Sequence, residues 1–211
     1  MRRDLTTALS AVVVLTVVLG LAYPLAITGI AQVVFPGKAN GSKVTVGGRV
    51  LGSSLIGQDF KGEPRYFQSR PSATEYSGDV THFGNLGPNS VEAREEVRAN
   101  LRAYLARERP YDPELQVDGP QTSKYRTFEA RRQAVPVDAV TQSASGVDPH
   151  ISQANARIQA HRVAAVRHLP LTKVDELISD HTDGRFLGLL GEPGVNVLRL
   201  NIALDMEAPP K

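Results

Sequence analysis

Ser145, Asp148 and His150 fall inside one ten-residue stretch, SASGVDPHIS (Ser143 to Ser152). A hydroxyl, a carboxylate and an imidazole are the groups of a hydrolytic triad, in which the acid orients the base and the base takes the hydroxyl proton. That chemistry requires the three to meet through space. Spacings of three and five residues at the start of a helix oppose it. The same residues also suit a simpler purpose, with Ser145 and Asp148 capping backbone N–H groups while Gly146 allows a tight turn. This second reading is preferred. An extracytoplasmic hydrolase using Ser145 and His150 is the alternative.

Other reactive patterns are missing. The chain has no G-x-x-x-x-G-K-[ST] phosphate loop, no G-x-G-x-x-G dinucleotide turn, no H-E-x-x-H zinc pair and no G-x-S-x-G elbow. It has no cysteine, which removes disulfides, thiolate metal sites and thiol nucleophiles. Of the five histidines, His82, His150, His161, His168 and His181, only His161 and His168 share a helical spacing, and no further ligand completes a metal set. Arg70, next to Pro71, either binds an anion or pairs with a carboxylate; the pairing is expected. A net charge of +2 without a basic cluster gives no footprint for nucleic acid.

The elements that must position these residues begin with an apolar one. No charged residue occurs between Asp4 and Lys38. A membrane span needs about 20 apolar residues, whereas the apolar part of a cleaved signal peptide has about 7–15. Apolar character here continues to Phe35, so a retained anchor is expected over 8–35, with Pro24 tolerated as a kink. A cleaved anchor on a periplasmic binding module is the rival. Arg2 and Arg3 place 1–7 on the cytoplasmic side, and 36–211 outside. Small residues such as Ala8, Ala11, Gly20 and Ala26 would permit close helix contact in the bilayer.

The outer part reads as follows. Lys43 to Gln58 predicts a β-hairpin turning at Gly47-Gly48. Arg65 to Ala73 predicts a short aromatic strand ending at Pro71. A helix capped by Asn89 and Glu92 presents Val97, Leu101, Tyr104 and Leu105. Residues 110–134 read as a surface insertion or long loop. A helix starts at Asp148-Pro149, or a turn later at Ser152, with Ile151, Ala154, Ile158, Ala165 and Leu169 as its apolar stripe and His161 or Arg162 between. Another begins near Thr172, capped through Asp175, with Val174, Leu177 and Ile178 inward. Val195 to Asp205 alternates like a half-buried strand. The class expected is α+β, an extracytoplasmic domain on one N-terminal transmembrane helix.

Six segments then occur in one order: LIGQDF, YFQSRPSA, NLGPNS, PVDAVTQSASGVDPHIS, RVA and LGEPGVNVLRLNIALD. Together they resemble the C subunits of the Kdp-type high-affinity potassium-transporting P-type ATPases. The resemblance covers almost the whole chain apart from 110–134. THFG (Thr81 to Gly84) departs from the family's serine-rich turn. The resemblance implies a non-catalytic accessory subunit of the inner membrane, needed for assembly and activity and lying at the outer mouth of a potassium-conducting subunit. The implied partners are that channel-like subunit, a P-type catalytic subunit, a small single-span subunit and membrane lipid. The resemblance implies no cofactor in this chain, potassium and ATP being handled by the complex; the sequence lacks the D-K-T-G motif of the phosphorylated subunit. Motif position nominates Arg70, Pro71, Ser72, Asn85, Gly87, Ser145, Gly146, Asp148, His150, Arg162, Glu192 and Asn196 as structural or partner-contact residues.

Overall fold

A computed structural model describes residues 2–80, 82–87, 89–112, 115 and 135–209. The proposed insertion at 110–134 therefore lies almost entirely outside the described residues. The chain divides into two compact units, Met1–Ser53 and Ser54–Lys211.

The first unit opens with a continuous helical run, Arg2–Val34, of 33 residues. It comprises α1 (Arg2–Leu15), a π-helical turn (Thr16–Ala22) and α2 (Tyr23–Val34). At about 1.5 Å per residue the run exceeds the roughly 30 Å hydrocarbon core of a bilayer. Pro24 accounts for the wide turn before it. A proline ring collides with the carbonyl four residues back, here Gly20, and cannot donate to it. A π-turn relieves the crowding, and the Tyr23 N–H reaches five residues back to the Val18 carbonyl. After the single turn α3 (Pro36–Ala39) comes the expected hairpin, β1 (Lys43–Val46) against β2 (Arg49–Ser53), antiparallel with a bulge at Val44/Thr45. Gly47 and Gly48 carry φ of +57° and +80°, which suits a two-residue turn between right-twisted strands.

The second unit holds α4 (Val91–Glu108), a 3-10 turn (Val137–Ala139), β3 (His150–Ile151), α5 (Gln153–Arg167), α6 (Leu171–Asp180), β4 (Thr182–Asp183), β5 (Gly194–Asn196) and α7 (Val197–Glu207). Helices dominate this mixed fold. The sheet is three short antiparallel strands in the order β3-β5-β4, with His150 opposite Asn196 and Thr182 opposite Val195. The main core packs Phe67, from the segment before Pro71, against Ile151, Val163, Val174, Val195, Leu200 and Leu204 from α5, α6, α7 and the sheet. A smaller cluster gathers Tyr104, Leu115, Ala139, Val140 and Ile158, with Val97, Leu101 and Leu105 packed against it. The α4 stripe is thus the one anticipated, although Ser90 rather than Asn89 caps the helix.

Four other expectations are corrected. Val195 to Asp205 is a strand only as far as Asn196 and is α7 beyond it. Val197, Leu198, Leu200, Asn201 and Leu204 are all buried, a helical spacing that the alternation of leucines concealed. The Asn196 side chain caps the helix by accepting from the Arg199 N–H at 3.1 Å. Of the two starts expected for α5, Asp148-Pro149 is overturned and Ser152 is observed, because His150 and Ile151 are held in the sheet. Ala154 and Ala165 face outward, and the buried side of α5 instead carries Asn155, Gln159 and Arg162. Helix α6 begins after Pro170 with no side-chain cap, while Val174, Leu177 and Ile178 point inward as expected.

The fourth correction concerns Arg65 to Ala73, which forms no strand. Its backbone pairs with side chains instead. Phe67 donates its N–H to Asn201 Oδ1 and accepts from Asn201 Nδ2, both at 2.9 Å. Gln68 does the same with Gln159, at 2.8 and 3.1 Å. A side-chain amide offers one donor and one acceptor in the geometry of a peptide group, so two amides replace two neighbouring strands.

Candidate functional site

Most of the nominated residues meet where the segment after Gln68, the turn before β3 and the end of β5 come together. The Arg70 guanidinium lies 3.1 Å from Asp148 Oδ2 and donates to the Gln142 carbonyl at 3.0 Å. It forms the expected Arg–acid pair, about a quarter exposed. The Pro71 carbonyl accepts from the Ser143 N–H. Ser72 donates its hydroxyl to the Gly146 carbonyl and accepts from the N–H groups of Thr74 and Tyr76 at 3.2 and 3.0 Å. Tyr76 closes the loop by donating to the Arg70 carbonyl. Burial, with the Asp59 charge adding to it, pushes the Tyr76 hydroxyl up to about 12.

Two glycines are required here. Gly146 has φ +74°, and a Cβ on it would sit 2.8 Å from Thr74 Oγ1. A Cβ on Gly57 would sit 2.5 Å from the Asp148 carbonyl oxygen, because the Gly57 N–H bonds to Val147 at 2.7 Å. The LIGQDF and SGVDP segments thus touch backbone to backbone, and only glycine permits that approach.

Ser145 Oγ accepts from the Val147 N–H at 3.2 Å, and Asp148 Oδ1 accepts from the His150 N–H at 2.9 Å. These are the turn-capping roles. The His150 ring turns elsewhere, its Nε2 2.9 Å from Asp183 Oδ2 and its Nδ1 3.8 Å from Asp148 Oδ1. Among the described residues no hydrogen bond joins Ser145 to His150; the serine serves the turn and the imidazole faces Asp183. Nor does any group of three or more metal-ligating side chains occur among them. Asn196 sits opposite His150 and donates to the Ser54 carbonyl at 2.8 Å.

The remaining nominated residues are placed apart. Asn85 has φ +51° and lines a cleft of about 210 Å³ with Phe83, Leu86, Val97 and Gln142. The Gly87 carbonyl accepts from Ser90 N–H at the head of α4. Glu192 pairs with Arg185. Arg162 is buried, 2.9 Å from Glu108, and also donates to the carbonyls of Pro64 and Tyr66 and to Gln159. Burial lowers its pKa, opposed by the Glu108 charge.

Two further residues that were not nominated hold this arrangement, Asp138 within PVDAVTQSASGVDPHIS and Arg167 outside the quoted segments. Asp138 accepts from the Ser152 N–H at 2.8 Å, the Ser152 hydroxyl at 2.7 Å and Asn155 Nδ2 at 3.0 Å. It places a carboxylate at the positive end of α5, beside the cap that Ser152 supplies to Asn155. Arg167 donates to the carbonyls of Arg65, Leu204 and Ala208 and pairs with Asp205 at 2.8 Å, closing the C-terminus of α7. The spacing of Asn155, Gln159 and Arg162 on one face of α5 was the available signal.

The lock so formed joins LIGQDF, YFQSRPSA, SGVDPHIS and GVNVL, the same segments that distinguish the chain as a sequence. The family described as "KdpC: K+-transporting ATPase, c chain" matches residues 5–206. The chain belongs to the KdpC family. A KdpC subunit of Sorangium cellulosum is 47% identical over 208 residues, covering 97% of this chain and 98% of that protein. One from Koribacter versatilis is 43% identical over 211 residues, covering 99% and 97%. One from Mycobacterium tuberculosis is 43% identical over 207 residues, covering 97% and 99%. All three are named potassium-transporting ATPase KdpC subunits. KdpC membership makes this chain a subunit of a potassium-transporting ATPase, and its apolar N-terminal helix is long enough to anchor it in a membrane.

Proposed function

We propose that this chain is a non-catalytic accessory subunit of an ATP-driven, high-affinity potassium uptake pump. It is needed for assembly and activity, and its folded domain lies at the outer face of the potassium-conducting subunit. The observation that carries the reading is KdpC membership along nearly the full length, joined to one apolar helix with Arg2 and Arg3 ahead of it. Positive charge on that side favours a cytoplasmic N-terminus and an extracytoplasmic domain in the inner membrane. The partners in this reading are the channel-like subunit, the P-type catalytic subunit and the small single-span subunit. The twelve nominated residues serve the internal lock or the partner contact. With the domain outside, any influence on ATP affinity runs through the partners as a coupling free energy.

The test is recovery of the tagged chain from native membranes in mild detergent. Stoichiometric recovery of a P-type subunit and a channel-like subunit supports the reading; recovery of the chain alone, under detergent that preserves other complexes, sinks it. Orientation is tested separately. The chain has no cysteine, so exposed Thr172→Cys supplies a single thiol. A membrane-impermeant maleimide should label it in intact spheroplasts, and labelling only after lysis would reverse the topology.

A further inference from the structure

Between β4 and β5 the chain leaves the sheet and returns through Arg185-Phe186-Leu187-Gly188-Leu189-Leu190-Gly191-Glu192. The excursion is closed twice. The Phe186 N–H donates to the Leu190 carbonyl at 2.8 Å, and the Leu190 N–H returns to Phe186 at 3.0 Å. Below that bridge, Arg185 Nη2 reaches both oxygens of Glu192, at 3.0 and 2.8 Å. Leu187 and Gly188 turn the tip with φ of +53° and +74°. Leucine in the left-handed region is strained, and such strain collects at functional loops.

Four large apolar side chains stand on this tip. Phe186 is 69% exposed, Leu187 79%, Leu189 81% and Leu190 63%, and none joins either core cluster. Single exposed leucines are ordinary, whereas a contiguous apolar knob with no charge between its two stem residues marks an interaction site.

We propose that this loop is a docking knob that seats in an apolar pocket on another protein subunit of the pump. The proposal rests on the accessory-subunit reading for the presence of that partner. Two features of the rim favour protein over lipid. Both arginines beside the loop already face an acid: Arg185 pairs with Glu192, and Arg199 lies 3.9 Å from Asp183, which also holds His150. Neither arginine is left unmatched for an anionic headgroup, and the tip carries neither Trp nor Tyr for the interface. A loop already closed by backbone bonds also gives up little freedom on docking. An apolar centre inside a paired polar rim is the anatomy of a protein–protein hot spot.

The test uses the full chain, tagged and co-expressed with the other pump subunits. Leu189→Asp and Phe186→Asp alter exposed side chains, so the melt of each variant chain alone should match wild type. Both should shed the partner subunits at least about tenfold faster in detergent, as expected for loss of a hot spot. Leu189→Met should restore retention. Undiminished retention by both aspartate variants overturns the proposal while the accessory reading stands; a wild-type chain that retains no partner overturns both. A single nitroxide at Leu189→Cys, in the assembled pump, supplies an independent readout. Low accessibility to both oxygen and a water-soluble nickel complex is expected. High oxygen access alone would place the loop in lipid, and high nickel access would place it in water. Either result overturns the proposal.

Discussion

Arg162 and Glu108 form an ion pair at 2.9 Å, with side chains 1% and 0% exposed. Helix α5 supplies the cation and the last turn of α4 the acid. Glu108 uses its second oxygen to accept from Arg107 at 2.7 Å, so the pair is hydrogen-bonded on both sides. Removing one member strands the other in a dry interior. Glu108→Ala should therefore cost about 3–5 kcal/mol in chemical denaturation. The double replacement Glu108→Met with Arg162→Met should cost less than the sum of the two single changes. Additive losses would show that the two charges do not depend on each other.

Asn201 satisfies both backbone groups of Phe67, which is itself fully buried. Asn201→Leu conserves volume and leaves that N–H and carbonyl without partners. A loss of about 2–6 kcal/mol follows from two stranded buried groups, read as a shift in denaturation midpoint at constant m-value. A shift below about 0.5 kcal/mol would mean that water replaces the amide.

The two possible starts of α5 are separable by mutation. Ser152→Ala removes the hydroxyl that caps Asn155 and donates to Asp138, and should cost about 1–2 kcal/mol. Asp148→Ala should leave the helicity of α5 unchanged and act instead on the Arg70 contact. Amide hydrogen exchange in the first turn of α5 distinguishes them: faster exchange is expected for the serine variant alone.

Alkaline pH should destabilise the second unit. Tyr76 is raised to about 12 by burial and by Asp59, and burial also raises Tyr104 and Tyr66, assisted by Glu108 and Asp205 respectively. Each group has a folded pKa above its unfolded value near 10, so the neutral hydroxyl is the form the fold prefers. Its contribution is complete below pH 10 and is lost as pH rises towards 12. The loss from Tyr76 alone is of the order of 2 kcal/mol, and Tyr76→Phe should flatten that part of the profile. Melting between pH 9 and 12, followed alongside phenolate absorbance, checks it; constant stability across that range would contradict the assignment.

Much of this was legible in the residues. The apolar run, the Gly47-Gly48 hairpin and the inward face of α6 are local, and each follows from pattern or turn chemistry; the Arg70 pair was expected as a type, but its acid, Asp148, lies 78 residues away. The α7 helix was not legible, because leucines at 198, 200 and 204 satisfy a period of two as well as of 3.6. Only burial of Val197 and Asn201 separates the two. The Phe67 segment was misread for a different reason. Its aromatic residues and the stop at Pro71 predict a strand, but its hydrogen-bond partners lie 91 and 134 residues away in side chains on helices. The lock around Asp148 was visible as a turn, while its dependence on Gly57 needed three dimensions.

The paired amides have one further consequence. In an extended chain, successive residues point their N–H and carbonyl groups to opposite edges. Asn201 therefore closes one edge at Phe67, and Gln159 closes the other at Gln68. Exposed strand edges are where separate chains add to one another and aggregate. At these two residues the edges are occupied by side chains, so neither offers its backbone to another strand. The segment instead acts as a spacer one chain wide between α5 and α7. Sliding either helix along it would break two of the four amide bonds at once, so this short segment ties α5 to α7.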